Sequence, residues 1–133
     1  MATIVLDAGL LVGLLDPGTA SHDRATSALL EVREARDQML LPSTVLAELL
    51  AGAHRLGPAA VETVEALVER LIDRVCDIDR DVATTAAGYR ASHVFLRLPD
   101  ALVLAVGEVL DADAVLTLDP RWSSVDGRVR VIE

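Results

Sequence analysis

Five short apolar runs, separated by longer stretches with helical spacing, constrain this chain more than any other feature. Ile4-Val5-Leu6, Met39-Leu40-Leu41, Val75 to Ile78, Ala114 to Leu118 and Val129 to Ile132 are each predicted as a strand. Strands that are apolar on both sides belong in a sheet covered on both faces. Between them lie predicted helices from Ala8 to Leu15, His22 to Asp37, Ser43 to Leu56, Pro58 to Arg74, Arg80 to Phe95 and Ala101 to Leu110. Ala25, Leu29, Val32 and Arg36 mark successive turns of the second helix, Ser43 and Asp79 are predicted N-caps, and Pro58 and Pro99 stand at helix starts. This alternation predicts a three-layer α/β/α sandwich around a short, mostly parallel five-stranded sheet, with residues 1–133 forming one domain.

Composition narrows the function classes. The 12 basic residues are all Arg, and against 21 acidic ones they leave a formal charge of -9. A chain this acidic does not hold nucleic acid by bulk positive charge, so any RNA binding needs an additional source of cations. The single cysteine, Cys76, rules out an internal disulfide and a thiolate-rich zinc site, and it is predicted to lie in the core of a strand. The absence of a basic leader with a cleavage site, and of any ~20-residue apolar run, predicts a cytoplasmic protein with no membrane segment.

The chemistry concentrates in four acids. In open parallel sheets the ligand crevice lies beyond the carboxyl ends of the strands, where strand order reverses. Asp7 and Asp119 both stand at such ends. Each acid also has an ordinary structural reading: Asp7 as a helix cap, Asp100 as a first-turn acid favoured by the helix dipole, Asp119 before Pro120 as a turn former. Glu48 falls roughly 110° from the centre of the apolar face of its helix at ~100° per residue, a flank position from which a helix beside the first strand can aim it over that strand's end. Carboxylates brought together repel, and hard divalent cations such as Mg²⁺ or Mn²⁺ relieve the repulsion through oxygen ligands. One or two such ions would activate water for in-line attack on a phosphodiester and stabilise the leaving oxygen.

Other mechanisms lack their residues. His22, His54 and His93 form no H-E-x-x-H pair and are predicted at the surface; no G-x-S-x-G elbow is present; a phosphate-binding loop requires the Lys that this sequence lacks. Receiver domains and haloacid-dehalogenase-like phosphatases also place an aspartate after their first strand, but both normally use a Lys, and the latter a second Asp at the position held here by Gly9.

The segments IVLDAGLLVGLL, LPSTVLAELLAG, LPDALVLAVGEVLDADAVLTLDPRW and VRVIE resemble a PIN-domain ribonuclease of the VapC toxin type across essentially the whole chain. The resemblance implies a PIN-like fold, Mg²⁺ or Mn²⁺ dependence, and Asp7, Glu48, Asp100 and Asp119 as metal ligands, with Thr117 at a polar position that assists the site. It also implies a single-stranded or looped RNA substrate, a homodimer, and a cognate antitoxin. Gly9 departs from the small hydroxyl residue common at that position. Arg97 and Arg121 are candidates to hold flanking phosphates, since Arg forks onto phosphate oxygens. A catalytically silent PIN-like module that binds RNA or protein is the alternative.

Overall fold

The computed structural model describes all 133 residues. The chain runs β1 (Thr3–Leu6), α1 (Ala8–Leu15), α2 (His22–Glu34), β2 (Gln38–Pro42), α3 (Ser43–Leu56), α4 (Pro58–Leu71), β3 (Arg74–Cys76), α5 (Arg80–Ser92), α6 (Leu98–Val109), β4 (Ala114–Thr117), a 3₁₀ turn (Pro120–Ser124) and β5 (Val129–Val131). The sheet order is β3-β2-β1-β4-β5. Every neighbouring pair is parallel, so the sheet is wholly parallel and helices pack around it as an α/β sandwich.

Strand order decides where a ligand can enter. From β1 the chain moves outward to β2 and β3, then returns across the sheet to β4 on the other side of β1. The β1/β4 boundary is therefore the point of reversal, and its carboxyl end opens between diverging connections. Register then fixes neighbours there: Leu6 pairs with Leu116, and the Asp7 N–H donates to the Leu116 carbonyl at 3.0 Å. Asp7 and Thr117 are next to each other as a direct consequence.

The core forms because β1, β2 and β4 contribute almost nothing but buried aliphatic side chains. Val5, Leu6, Leu41, Ala114 and Val115 are fully enclosed. Over them lies α6, which touches β1, β2 and β4 and buries Ala101, Val103, Leu104, Ala105, Val106 and Gly107. Such a nearly all-apolar helix is stable only as an interior element. Gly107 lets it approach closely, since a methyl group there would lie 2.5 Å from Val115 Cγ2. Gly107→Ala gains about 1 kcal/mol of helix propensity and should still destabilise by about 1–3 kcal/mol through overpacking. A lowered urea midpoint at unchanged slope is the expected measurement; an unchanged midpoint would mean that Val115 rotates away freely.

At the opposite, amino-terminal edge of the sheet, three aspartates tie adjacent strands together. Asp37 accepts from the Ala2 N–H at 2.9 Å, Asp113 from Thr3 at 2.8 Å and Asp73 from Met39 at 2.8 Å. Each stands just before a strand and satisfies a backbone donor at the start of the neighbouring one, groups that would otherwise compete for water. These acids are structural.

Several element boundaries differ from the sequence expectation. Ser43 does not cap α3: Pro42 is the cap residue, no side chain bonds the first turn, and Ser43 is already helical. The helix from Pro58 stops at Leu71 because Arg74 is taken into β3, where it pairs with Leu40. α5 ends at Ser92, which places Phe95 in the connection to α6. Asp79 does cap α5, accepting from the Val82 N–H at 2.9 Å. His22 is half-buried, its Nδ1–H donating to the Gly13 carbonyl at 2.8 Å, so it is less a surface residue than expected. Cys76 is buried in β3 as expected.

Candidate active site

Asp7 is the first residue past β1 and the N-cap of α1. Its Oδ1 accepts from the Ala8 N–H at 2.8 Å, and its Oδ2 accepts from the Thr117 hydroxyl at 2.8 Å. Thr117 Oγ1 in turn accepts from the Asp119 N–H at 3.1 Å. Thr117 is the one fully buried polar side chain, and its hydroxyl joins the ends of β1 and β4. The helix-cap reading of Asp7 is therefore correct and incomplete, because the cap uses only one of its two oxygens.

Asp100 occupies the first turn of α6, with Arg97 Nε 4.0 Å away and the carboxyl about one-quarter exposed. Glu48 lies on the exposed flank of α3, as its helical phase predicts. Asp119 caps the 3₁₀ turn, accepting from the Arg121 N–H, and its carboxylate is gripped by the Arg121 guanidinium at 2.8 Å and 3.1 Å.

Electrostatics show that the acids share one environment. Burial pushes the Asp7 carboxyl up to about 6; the hydrogen bonds from Thr117 and Ala8 oppose the shift, and the charges of Asp100 and Glu48 add to it. Glu48 is raised by partial desolvation and by Asp100, with Arg97 opposing. Asp100 is raised by partial desolvation and by Asp119, with Arg97 and Arg121 opposing. Only Asp119 is held below the ordinary carboxylate range, by its hydrogen bonds from Arg121. Carboxylates that raise one another carry unneutralised negative charge, the condition in which a cation binds.

These donors suit a hard divalent ion, being oxygens only. They are not a finished cage: no three carboxylate, imidazole or thiolate groups converge tightly enough to enclose an ion. Asp100 and Glu48 lie near enough to raise Asp7 through their charge, and Asp119, held in its ion pair, lies near enough to raise Asp100.

A family model described as the PIN domain matches residues 4–128. The chain belongs to the PIN-domain family. The PIN fold here is similar to the Mycobacterium tuberculosis toxin VapC20, named as a sarcin-ricin loop cleaving toxin, with TM-score 0.77, 21% identity and coverage of 98% of this chain and 99% of that one. A toxin-antitoxin complex from Klebsiella pneumoniae gives TM-score 0.76 at 21% identity, covering 96% of each chain. FitAcB from Neisseria gonorrhoeae gives 0.72 at 22% identity, covering 98% and 96%. At these identities the likeness concerns the fold. No curated protein matches the sequence.

Within this PIN domain the structure joins Asp7 to Thr117, and it adds contacts around the four acids that the sequence reading missed. Arg121 was expected on phosphate and instead forks onto Asp119, a pairing that the short spacing Asp-Pro-Arg could have suggested. Phe95, beneath the Arg121 guanidinium at 5.3 Å, gave no local signal. At Gly9 a Cβ would meet only Leu118 Cδ1, at 3.7 Å, an ordinary contact.

Proposed function

We propose that this PIN domain is a Mg²⁺- or Mn²⁺-dependent endoribonuclease, the toxin of a toxin–antitoxin pair, acting on structured RNA. The observation that carries the reading is the Asp7 carboxylate fixed by Thr117 at the β1/β4 reversal point, pushed up to about 6 chiefly by burial, with the nearby charges of Asp100 and Glu48 adding to the shift. Asp7, Glu48 and Asp100 would hold the ion, with Asp119 acting at the edge on a second ion or through water. The bound ion would supply an acidified water and neutralise charge on the leaving oxygen.

The chain's own residues do the positioning. Thr117 and the Ala8 N–H fix the plane of the Asp7 carboxylate, so its remaining lone pairs have one direction to offer. Both hydrogen bonds favour the ionised form that a cation requires. Arg97, beside Asp100, is placed to steady a phosphate flanking the cut. In-line hydrolysis without a covalent enzyme intermediate leaves 5′-phosphate and 3′-hydroxyl ends.

The toxin reading draws support from solved structures whose names describe a toxin-antitoxin complex and a member of a family of toxin-antitoxin systems. A cognate antitoxin partner, homodimerisation and a cytoplasmic location follow from that kinship; no helix is long and apolar enough to cross a membrane. Incubation of total RNA with purified protein and Mn²⁺ should give discrete cuts with 5′-phosphate ends, and excess EDTA should stop them. Cleavage that continues under chelation refutes the metal mechanism. An intact RNA pool under every metal condition leaves the catalytically silent module as the correct reading.

A further inference from the structure

We propose that the Arg121 guanidinium, seated on Phe95 and fixed by Asp119, is a preformed plate on which an unpaired base of the RNA stacks beside the acidic crevice. This rests on the nuclease reading and adds one contact to it: the surface on which a base flanking the cut would stack.

Three observations converge on the plate. Arg121 is held from two directions, by the carboxylate fork of Asp119 at 2.8 Å and 3.1 Å and by the Phe95 ring, whose centroid is 5.3 Å from the guanidinium carbon. A long side chain so restrained has already lost most of the rotamer freedom that binding would otherwise remove. The side chain still remains 60% exposed despite these contacts, which leaves surface for a ligand. Phe95 is itself braced, edge-on, by the His93 ring at 6.1 Å, and the His93 Nδ1–H is anchored on the Tyr89 carbonyl at 3.2 Å.

Scarcity makes this arrangement informative. The chain has one Phe, one Tyr and one Trp. Trp122 is spent in the core, whereas Phe95 sits in the short connection between α5 and α6, directly under a cation next to the candidate cleavage site. A protein of charge -9 gains little from the phosphate backbone as a whole. Base stacking on aromatic and guanidinium planes does not depend on net charge, and it discriminates unpaired bases from those already stacked in a duplex.

The test uses a single-stranded RNA hexanucleotide carrying 2-aminopurine, bound in Mg²⁺ to full-length protein with Asp100→Asn to slow cleavage. Stacking quenches the probe, and the expected result is quenching on binding with little response from the same strand in a duplex. Phe95→Leu keeps an apolar residue, and Arg121→Lys keeps the charge. Each should weaken binding by about tenfold, the effect of losing one stacked base, and should remove the quench; circular dichroism melting confirms that both variants are folded. Tight binding without quenching, or a quench that Arg121→Lys leaves intact, overturns the plate and shows Arg121 acting as a point charge. Failure of the nuclease reading is seen separately, as wild-type protein that quenches the probe and leaves RNA uncut with Mn²⁺.

Discussion

Asp7→Asn should reduce RNA cleavage by on the order of a thousandfold or more and at the same time make the metal-free protein more stable at neutral pH. The two effects have one origin. Asp7 carries a pKa of about 6 in the fold against an ordinary 3.8, so its ionised form is disfavoured by folding. Below the unfolded value the carboxyl is protonated in both states and contributes no difference. As pH rises through 3.8 the unfolded chain releases its proton while the folded chain retains it, and stability falls. The fall is complete once pH passes about 6, where it amounts to roughly 2–3 kcal/mol at 1.36 kcal/mol per unit.

Asn is neutral throughout, so the variant escapes that loss; its one oxygen can accept from the Ala8 N–H, while its amide must donate to the Thr117 hydroxyl, reversing the wild-type bond. In EDTA at pH 7.5 its melting temperature should exceed that of wild type by several degrees, and near pH 4 the difference should shrink towards zero. Mn²⁺ should raise the wild-type melting temperature and leave the variant nearly unmoved, since a ligand that binds only the folded state stabilises it. A variant that melts with wild type at every pH would show that Asp7 is well solvated. A variant that cuts normally would remove Asp7 from the chemistry.

Trp122→Ala should have the largest effect on stability, a loss of about 3–5 kcal/mol. Trp122 is 1% exposed and is the anchor of the 3₁₀ turn Pro120–Ser124, the segment that follows Asp119 and carries Arg121. Removing the indole leaves a cavity and frees the turn, so cleavage should fall as well, even under conditions where the protein remains folded. Trp122→Phe should cost clearly less. It keeps most of the buried ring, and the indole N–H has no hydrogen-bond partner to lose. Equal unfolding midpoints for the two variants would indicate that the turn is held by something other than this side chain.

Which parts of this molecule were legible in the sequence follows from the range of the interactions involved. Strands that must be buried on both faces are written as short apolar runs, and helices that must cover them as residues recurring every three or four positions. Both patterns are local, so the α/β class, the six helices, the five strands and the strand-end positions of Asp7 and Asp119 could be read directly. Glu48 was legible only as a flank residue. Its importance depends on which strand end α3 passes.

Tertiary structure decided what local pattern cannot carry. Thr117 and Asp7 are 110 residues apart, and they meet only because β4 returns to lie beside β1 with Leu6 opposite Leu116. The same holds for Asp37 and Asp73, which fall within predicted helices, and for Asp113, which no local pattern singles out; all three prove to tie neighbouring strands together. Helix ends went astray for a related reason: Arg74 continues a helical pattern, but pairing with Leu40 in the sheet satisfies its backbone. Composition and periodicity specify which faces must be buried. Strand order and register, set by how all those faces are buried at once, determine which polar groups are left facing one another at the crevice.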